Sequence, residues 1–360
     1  MSSKSTQTQF DKNMEFGNDT TELIRYITKG DGAGLAYQWL STLVDGFGHR
    51  MVGSDSLEEA IDFLVKSLEE DDFDDVHTEE VPNLPNWVRE DDNVEIIEPR
   101  HQRLNVLALG GCEPANITGE VVVIRDLDNS KFVNVSGKIV VTAQQFKGYP
   151  QTVKYRQSVK LFESLGAIGV LIKSVTSFSI NSPHTGSGAE GARIPAASLT
   201  VEQADMIDRM FQNGEKIVIR MNMKSHSENH TTTSRNLIFQ ITGAFRPVNW
   251  LSHLSFSGDQ QHVNLFKMKR LDEIVHLLNR NGILLGLVNN PSQGDVRFWA
   301  KDGIPSVNYI PDKAIDYYFY FHHTGGDYIT IFKDGDLEYT ASIFAVLGHI
   351  IANMDNWGPA

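Results

Sequence analysis

Short apolar segments recur between residues 119 and 224, and they constrain the fold more than any other feature of the sequence. GEVVVI, GKIVVTA, GVLIKSV, IPAASLT and KIVIRMNM have the length and β-branched content typical of buried strands. Residues 153–165 and the segment VEQADMIDRMF, which lie between some of these strands, predict helices. Strands that alternate with helices indicate an α/β module, and about a hundred residues suffice for an independent core.

The flanking regions predict further helices and strands around this module. Apolar residues at helical spacing predict helices in three places: residues 22–70, with Ser54 as a start signal, residues 261–279 and residues 337–354. Strands are predicted in four places: residues 76–81, 93–97, 105–109 and 234–243. The polar residues 1–20 predict a disordered tail.

The charge balance narrows the classes of partner. The 360 residues carry a formal net charge of -14, and both nucleic acid and anionic lipid require basic surface, so neither is an expected partner. No apolar run is long enough to predict a membrane span. Because Cys112 is the single cysteine, the sequence predicts neither an internal disulfide nor a cysteine-based zinc site.

Two signals about the cellular compartment disagree. The polar N-terminal stretch lacks the apolar segment of a signal peptide, which predicts a cytoplasmic protein if the sequence is complete. Against this stand four N-x-S/T sequons, which are glycosylated only in the secretory pathway. They lie at Asn18, Asn116, Asn134 and Asn229. Both interpretations stay open from these residues.

The stretch FHHTGGDY, which contains His322 and His323, is a candidate metal site. A catalytic zinc takes three or more ligands from His, Asp or Glu, and the sequence has no H-E-x-x-H spacing. His226 and His230 lie in a polar segment typical of a solvated loop, and His253 has no carboxylate two residues later. As an isolated pair, His322 and His323 are more typical of a surface turn than of a metal site.

Several longer stretches resemble the carboxypeptidase Q family, also called plasma glutamate carboxypeptidases. They are collinear over most of the chain and include LVDGFGHRMVGSDSLEEAIDFL, IIEPR, SGKIVV, TVKYRQ, SVTSFSINSPHTG, RIPAASLTVEQADMIDRM, SRNLIFQITG and FHHTGGD. The resemblance implies a two-zinc metallopeptidase that hydrolyses dipeptides or removes a C-terminal residue. It also implies a homodimeric glycoprotein that is secreted or lysosomal.

The resemblance implies an α/β fold in which a zinc-exopeptidase-like mixed sheet is flanked by helices and interrupted by a protease-associated α/β domain. The implied parts are a first peptidase-like segment at 21–114, the protease-associated domain at 115–228 and the rest of the peptidase-like domain at 229–360. That last part is shortened after Gly243, where the chain lacks a long family segment. In the family this segment carries the other four metal ligands, the catalytic glutamate and central strands of the sheet.

The resemblance also assigns roles to the histidine pair. It matches His323 to a zinc ligand of the family and His322 to a residue that helps polarise the substrate carbonyl, while Asp327 fills the acidic position of the same loop. Two hypotheses follow. In one, the chain has lost hydrolysis and is a pseudoenzyme or truncated isoform that binds peptides or dimerises. In the other, it is a working metallopeptidase that recruits His253 and Asp259 together with His323.

Overall fold

The computed structural model describes residues 2–242, 247–251, 265–287, 296–302, 308–309 and 314–353. Within these residues the chain forms both helices and strands. The α-helices are α1 (Ser2–Lys29), α2 (Leu35–Phe47), α3 (Asp55–Glu70), α4 (Tyr149–Thr152), α5 (Val159–Ser164), α6 (Val201–Gln212), α7 (Leu265–Arg280), α8 (Val296–Lys301), α9 (Ala314–Phe321) and α10 (Asp336–Asn353). The strands are β1 (Asp75–Leu84), β2 (Trp87–Val88), β3 (Asn93–Glu98), β4 (Gln102–Leu104), β5 (Val106–Ala108), β6 (Ala115–Ile124), β7 (Ile139–Thr142), β8 (Gly169–Lys173), β9 (Ala196–Leu199), β10 (Val218–Met223), β11 (His226–Ser227), β12 (Thr232–Thr242) and β13 (Pro247–Leu251). The expected mixed α/β class is confirmed.

The chain divides into two compact units. The first contains Met1–Leu84, Thr233–Tyr309 and Ile329–Ala360, and the second contains Pro85–Thr232 and Ile310–Tyr328. Residues 115–228, the predicted protease-associated domain, lie within the second unit. That unit starts earlier in the chain because β3 and β5 are strands of its sheet. Residues 321–328, called the histidine turn below, also belong to the second unit.

An eight-stranded mixed sheet forms the centre of the second unit. Its strand order is β4-β3-β10-β6-β7-β8-β9-β5. Strands β6 to β9 run parallel, whereas β10 is antiparallel to both of its neighbours. Every residue of β7 and β9 is buried, and α6 packs against β6, β7 and β8. Because these strands are covered on both faces, they appear in the sequence as continuous apolar runs.

One segment of this unit differs from its predicted structure. Residues 153–165 were expected to form a single helix, but a 3-10 helix covers Val153–Ser158 and α5 begins only at Val159. Tyr155, Arg156 and Ser158 are all buried in the 3-10 helix. An α-helix with one apolar face would not bury so many neighbouring residues, so tertiary packing has overridden the helical pattern.

The first unit combines a three-stranded sheet with a helical core. The sheet has the order β1-β12-β13 in the part of the unit that the structure describes. β12 confirms the strand predicted at 234–243, and α3 begins at the predicted start signal, where the Ser54 hydroxyl accepts a hydrogen bond from Leu57 N. The helical core buries side chains of α1, α7 and α10, among them Ile24, Ile274 and Ile343.

Residues 1–20 differ from the disordered tail that their composition predicts. In the structure α1 spans Ser2–Lys29. Phe16 packs against the core that buries Ile24, and the His349 side chain lies 3.2 Å from a carboxylate oxygen of Asp19. Tertiary packing therefore involves the helix from Phe16 onward, and packing of this kind is not visible in local composition. None of the described helices is both long and apolar enough to cross a bilayer.

Candidate functional site

The histidine turn begins where α9 ends. The N–H of His322 donates to the carbonyl of Tyr318 (2.9 Å), which continues the helical pattern for one more residue. His323 then adopts a left-handed backbone with φ 58°, a conformation that commonly ends helices and that histidine adopts more readily than most residues. The two imidazole rings consequently stack, with their centroids 3.6 Å apart. The sequence pair is therefore also a pair in space.

A loop formed by residues 174–188 holds the histidine turn in place. The N–H of Thr185 donates to the carbonyl of His323 (3.1 Å), and Nδ1 of His323 donates to the carbonyl of Thr185 (3.2 Å). Farther along the same loop, the hydroxyl of Thr176 donates to the carbonyl of Phe319 (2.9 Å). Because Nδ1 of His323 is used in this way, its Nε2 is the ring nitrogen left for a ligand.

His184 is a third histidine beside this pair. It lies in the same loop and is 4% exposed, and its backbone N–H donates to the Ser174 hydroxyl (2.9 Å). Its ring donates to the backbone carbonyl of His322, while its Nε2 is buried and has no hydrogen-bond partner among the described residues. Burial lowers the pKa of His184 to about 4. At neutral pH it is therefore an uncharged imidazole.

Arg156 carries a buried positive charge behind the histidine turn. It is 7% exposed and donates to the carbonyls of Ser187 (3.0 Å) and Thr185 (3.2 Å) and to the hydroxyl of Tyr149 (2.7 Å). Within the described ranges it forms no ion pair with a carboxylate. The carbonyl of Thr185 thus accepts from both Arg156 and His323, so one loop carbonyl connects the cation to the histidine turn.

Burial and nearby charges keep the histidine pair uncharged. Burial, followed by the neighbouring His323 and Arg156, lowers the pKa of His322 to about 4. The rings of Tyr318 and Phe319 contact the imidazole of His322, at centroid distances of 4.4 and 5.6 Å. His323 is more exposed, but surrounding atoms still desolvate its ring, and together with Arg156 they lower its pKa. Uncharged imidazoles can accept hydrogen bonds or ligate a metal.

The described residues do not complete a zinc site. Among them, no group of three or more His, Cys, Asp or Glu side chains lies close enough to hold a metal ion. Asp327 is exposed, and it influences His323 electrostatically. A zinc centre needs at least three protein ligands in a tetrahedral arrangement, which the histidine pair with Asp327 does not provide. His253 and Asp259 lie outside the described residues.

The predicted glycosylation sites all lie at the surface. Asn18 is on α1, Asn116 is on β6, and Asn134 and Asn229 are in loops. All four residues are exposed. Exposure is required for modification, so glycosylation at these positions stays a prediction that the structure permits.

Sequence reasoning missed His184 and Arg156 as parts of this site. Each lies inside a segment that carried the family resemblance, His184 in SVTSFSINSPHTG and Arg156 in TVKYRQ. Both residues are far from the histidine pair in sequence. His323 lies 138 positions after Thr185, which directly follows His184, and Arg156 lies still earlier in the chain. The resemblance of these segments was the available signal, and only the fold brings them together.

Comparisons with known proteins identify relatives along nearly the whole chain. No family model matches the sequence. Carboxypeptidase Q of Mus musculus is 29% identical over 90% of this chain and 87% of its own length. Carboxypeptidase Q of Homo sapiens is 29% identical over 95% of this chain and 90% of its own length. The resemblance of the sequence to carboxypeptidase Q is confirmed.

A solved structure shows the same fold. It is a peptidase M28 precursor from Shewanella amazonensis SB2B, which aligns with a TM-score of 0.80 over 96% of this chain and 98% of the other. Sequence identity between the two is 18%, so this likeness concerns the fold alone.

The alignments also contain gaps on the side of this chain. The alignment with the mouse protein has 418 positions. It includes 90% of the 360 residues of this chain, so about 324 residues of this chain fill those positions. About ninety aligned positions of the relative therefore have no counterpart here. The human alignment, with 434 positions over 95% of the chain, leads to a similar number. The chain thus lacks a substantial amount of sequence that its relatives have.

Proposed function

Because this chain is similar to carboxypeptidase Q over nine-tenths of its length, we propose that it is a carboxypeptidase Q-like protein that binds dipeptides or peptide C-termini without hydrolysing them. One observation supports the loss of hydrolysis most strongly. About ninety positions of the mouse relative fall opposite gaps in this chain, within an alignment that otherwise extends over both proteins.

The resemblance assigns the missing residues to the segment after Gly243. The sequence after Gly243 continues as AFRPVNWLSHLSFSGDQQ, where the resemblance predicts acidic loops that ligate metal and supply a catalytic glutamate. Metal-assisted peptide hydrolysis requires an activated water held by several ligands, and a carboxylate to transfer its proton. Without those loops the histidine turn retains one counterpart of a zinc ligand, His323.

The residues that remain are suited to binding. The uncharged imidazoles of His322 and His323 offer hydrogen-bond acceptors at the surface of the second unit, and hydrogen bonds to the 174–188 loop hold them in one arrangement. A fixed arrangement lowers the entropic cost of binding a small ligand. Zinc, which the family uses, would be held through Nε2 of His323, and the described residues supply no group of three ligands for it.

A combined metal and activity measurement tests this proposal. The purified chain is assayed for zinc by elemental analysis, for dipeptide hydrolysis by mass spectrometry and for dipeptide binding by calorimetry. We expect less than one zinc per chain, no hydrolysis and measurable binding. His323→Ala should weaken binding, whereas His230→Ala, which alters an exposed histidine near Glu228, should not.

The opposite result would identify a working metallopeptidase. About two zinc ions per chain, with turnover abolished by a chelator, would overturn the proposal and favour recruitment of His253 and Asp259. Absence of dipeptide binding would also overturn it, and would leave a dimerisation module as the function to pursue. Light scattering of the purified chain measures dimerisation, which the resemblance implies.

We further propose that the protein acts in the secretory pathway, as the resemblance implies and as four exposed sequons support. Expression behind a secretory leader, followed by glycosidase treatment, should produce a mass shift. Asn→Gln changes at Asn116 and Asn134 should reduce it, because both residues are exposed. An unchanged mass after treatment would contradict the proposal.

A further inference from the structure

An exposed isoleucine holds a strained backbone conformation in the loop beside the histidine turn. Ile180 has φ 43° and Asn181 has φ 61°, so two successive residues are left-handed. This conformation is unfavourable for β-branched residues and typically persists where surrounding structure imposes it. Ile180 is also 79% exposed, so burial of its side chain does not offset the strain.

The surrounding structure that imposes this conformation is a carboxylate under the loop. Glu202 accepts hydrogen bonds from the backbone N–H groups of Ser179 (3.1 Å), Ile180 (2.9 Å) and Asn181 (3.3 Å), and from the Ser179 hydroxyl (2.6 Å). The Ser179 hydroxyl in turn accepts from the N–H of Val201 (2.8 Å). The loop is therefore held rigidly, with the Ile180 side chain pointing into solvent. Because the loop fixes the position of this exposed apolar side chain, a ligand that contacts it incurs a smaller entropic cost on binding.

The same loop is continuous with the histidine turn. The ring of Phe178 packs on that of Tyr320, with centroids 4.6 Å apart. Ser182 lies close to Gly325, since a Cβ on that glycine would be 3.6 Å from the serine hydroxyl. The strained residue and the histidines therefore belong to one surface of the second unit. Phe178, itself 38% exposed, adds a second apolar side chain to it.

We propose that Ile180 is a specificity-determining residue that, with Phe178, contacts an apolar side chain of the bound peptide. The inference rests on the proposed function, since that function supplies the peptide. Neither side chain carries charge or a hydrogen-bonding group, so the contact favours apolar over polar residues. In this proposal the strained backbone of Ile180 places its side chain beside the histidine turn, where a bound peptide can contact it.

Two variants separate this role from a structural one. Ile180→Asn removes the apolar side chain and introduces a residue that tolerates the left-handed region, whereas Ile180→Val keeps both the branching and most of the apolar surface. We expect Ile180→Asn to raise Tm by about 2 °C or more, because strain is relieved and little packing is lost. Ile180→Val should leave Tm close to that of the unaltered protein.

Calorimetry with the dipeptides Ala-Leu and Ala-Ser measures the specificity. The unaltered chain should bind Ala-Leu about tenfold more tightly than Ala-Ser, and Ile180→Asn should remove most of this difference. Ile180→Val should retain it. Leu161→Asn, which alters a 42% exposed leucine on α5, should also retain it and serves as the surface control.

Several results would overturn the inference. Equal affinity of the unaltered chain for the two dipeptides, or a preference that survives in Ile180→Asn, excludes a specificity role. A fall in Tm of Ile180→Asn shows instead that the side chain stabilises the fold. If the chain proves to hydrolyse dipeptides, the proposed function fails, but the same variants then test this inference through the ratio of kcat/KM for the two substrates.

Discussion

Replacing Glu202 by glutamine tests whether one carboxylate holds the strained loop. Burial alone would raise the pKa of Glu202, but the hydroxyl of Ser179 and nearby backbone N–H groups donate to the carboxylate and lower its pKa from 4.5 to about 2. Glutamine keeps one carbonyl acceptor and loses the charge. The substitution therefore weakens all of the hydrogen bonds to Ser179, Ile180 and Asn181.

The magnitude follows from the lowered pKa. If the whole difference between the unfolded and folded pKa of Glu202 contributed to stability, it would correspond to about 3 kcal/mol of unfolding free energy. Glu202 is exposed, and solvent screening reduces this contribution, so we expect Glu202→Gln to cost about 1–2 kcal/mol at neutral pH. Because the folded pKa lies below the unfolded one, the contribution is complete well above pH 4.5 and is lost as pH falls toward 2.

Urea unfolding of the two proteins between pH 7 and pH 3 measures this contribution. The difference in unfolding free energy between the unaltered protein and Glu202→Gln should be less than about half as large at pH 3 as at pH 7. Glu215→Gln is the matched control, since Glu215 is exposed and its side chain accepts no hydrogen bond recorded among the described residues. It should change the unfolding free energy little at either pH.

A difference that stays constant from pH 7 to pH 3 would refute this reasoning, because it would show that the charge of Glu202 does not carry the stabilisation. A negligible difference at pH 7 would show that the loop is held by other contacts.

Three further predictions concern the two units. Phe162→Ala, at a fully buried position of the second unit, should cost about 3–5 kcal/mol in urea unfolding, and an equal cost for the exposed Leu161→Ala would contradict this core assignment. Gly188→Ala should cost about 1–3 kcal/mol, because its Cβ would lie 2.4 Å from the carbonyl oxygen of Arg156. Gly46→Ala on α2, with open space at its Cβ, should cost nothing or stabilise slightly in the same urea unfolding series. In the first unit, Arg235 donates to Glu58 and Asp62 at 2.7 Å each, so Arg235→Lys should lower stability by about 1 kcal/mol at low salt. A loss of Tm that does not shrink at high salt would argue against this ion-pair explanation.

The sequence predicted elements well where burial is regular. Strands β7 and β9 are wholly buried and appear as apolar runs, and the start of α3 was visible in Ser54. Prediction failed where contacts between distant segments decide the structure. Residues 153–165 divide into two elements because Arg156 and its neighbours are buried, and residues 1–20 are helical in a unit where Phe16 packs on a distant core.

The sequence by itself determined the α/β class, the location of the buried strands and the relationship to carboxypeptidase Q. Each of these follows from periodicity or from collinear segments, which are properties of neighbouring residues. Only the tertiary structure brought His184 and Arg156 to the histidine turn and showed the strain at Ile180. Hydrogen bonds between residues more than a hundred positions apart depend on how the chain packs, and local patterns do not encode which distant partner a side chain meets.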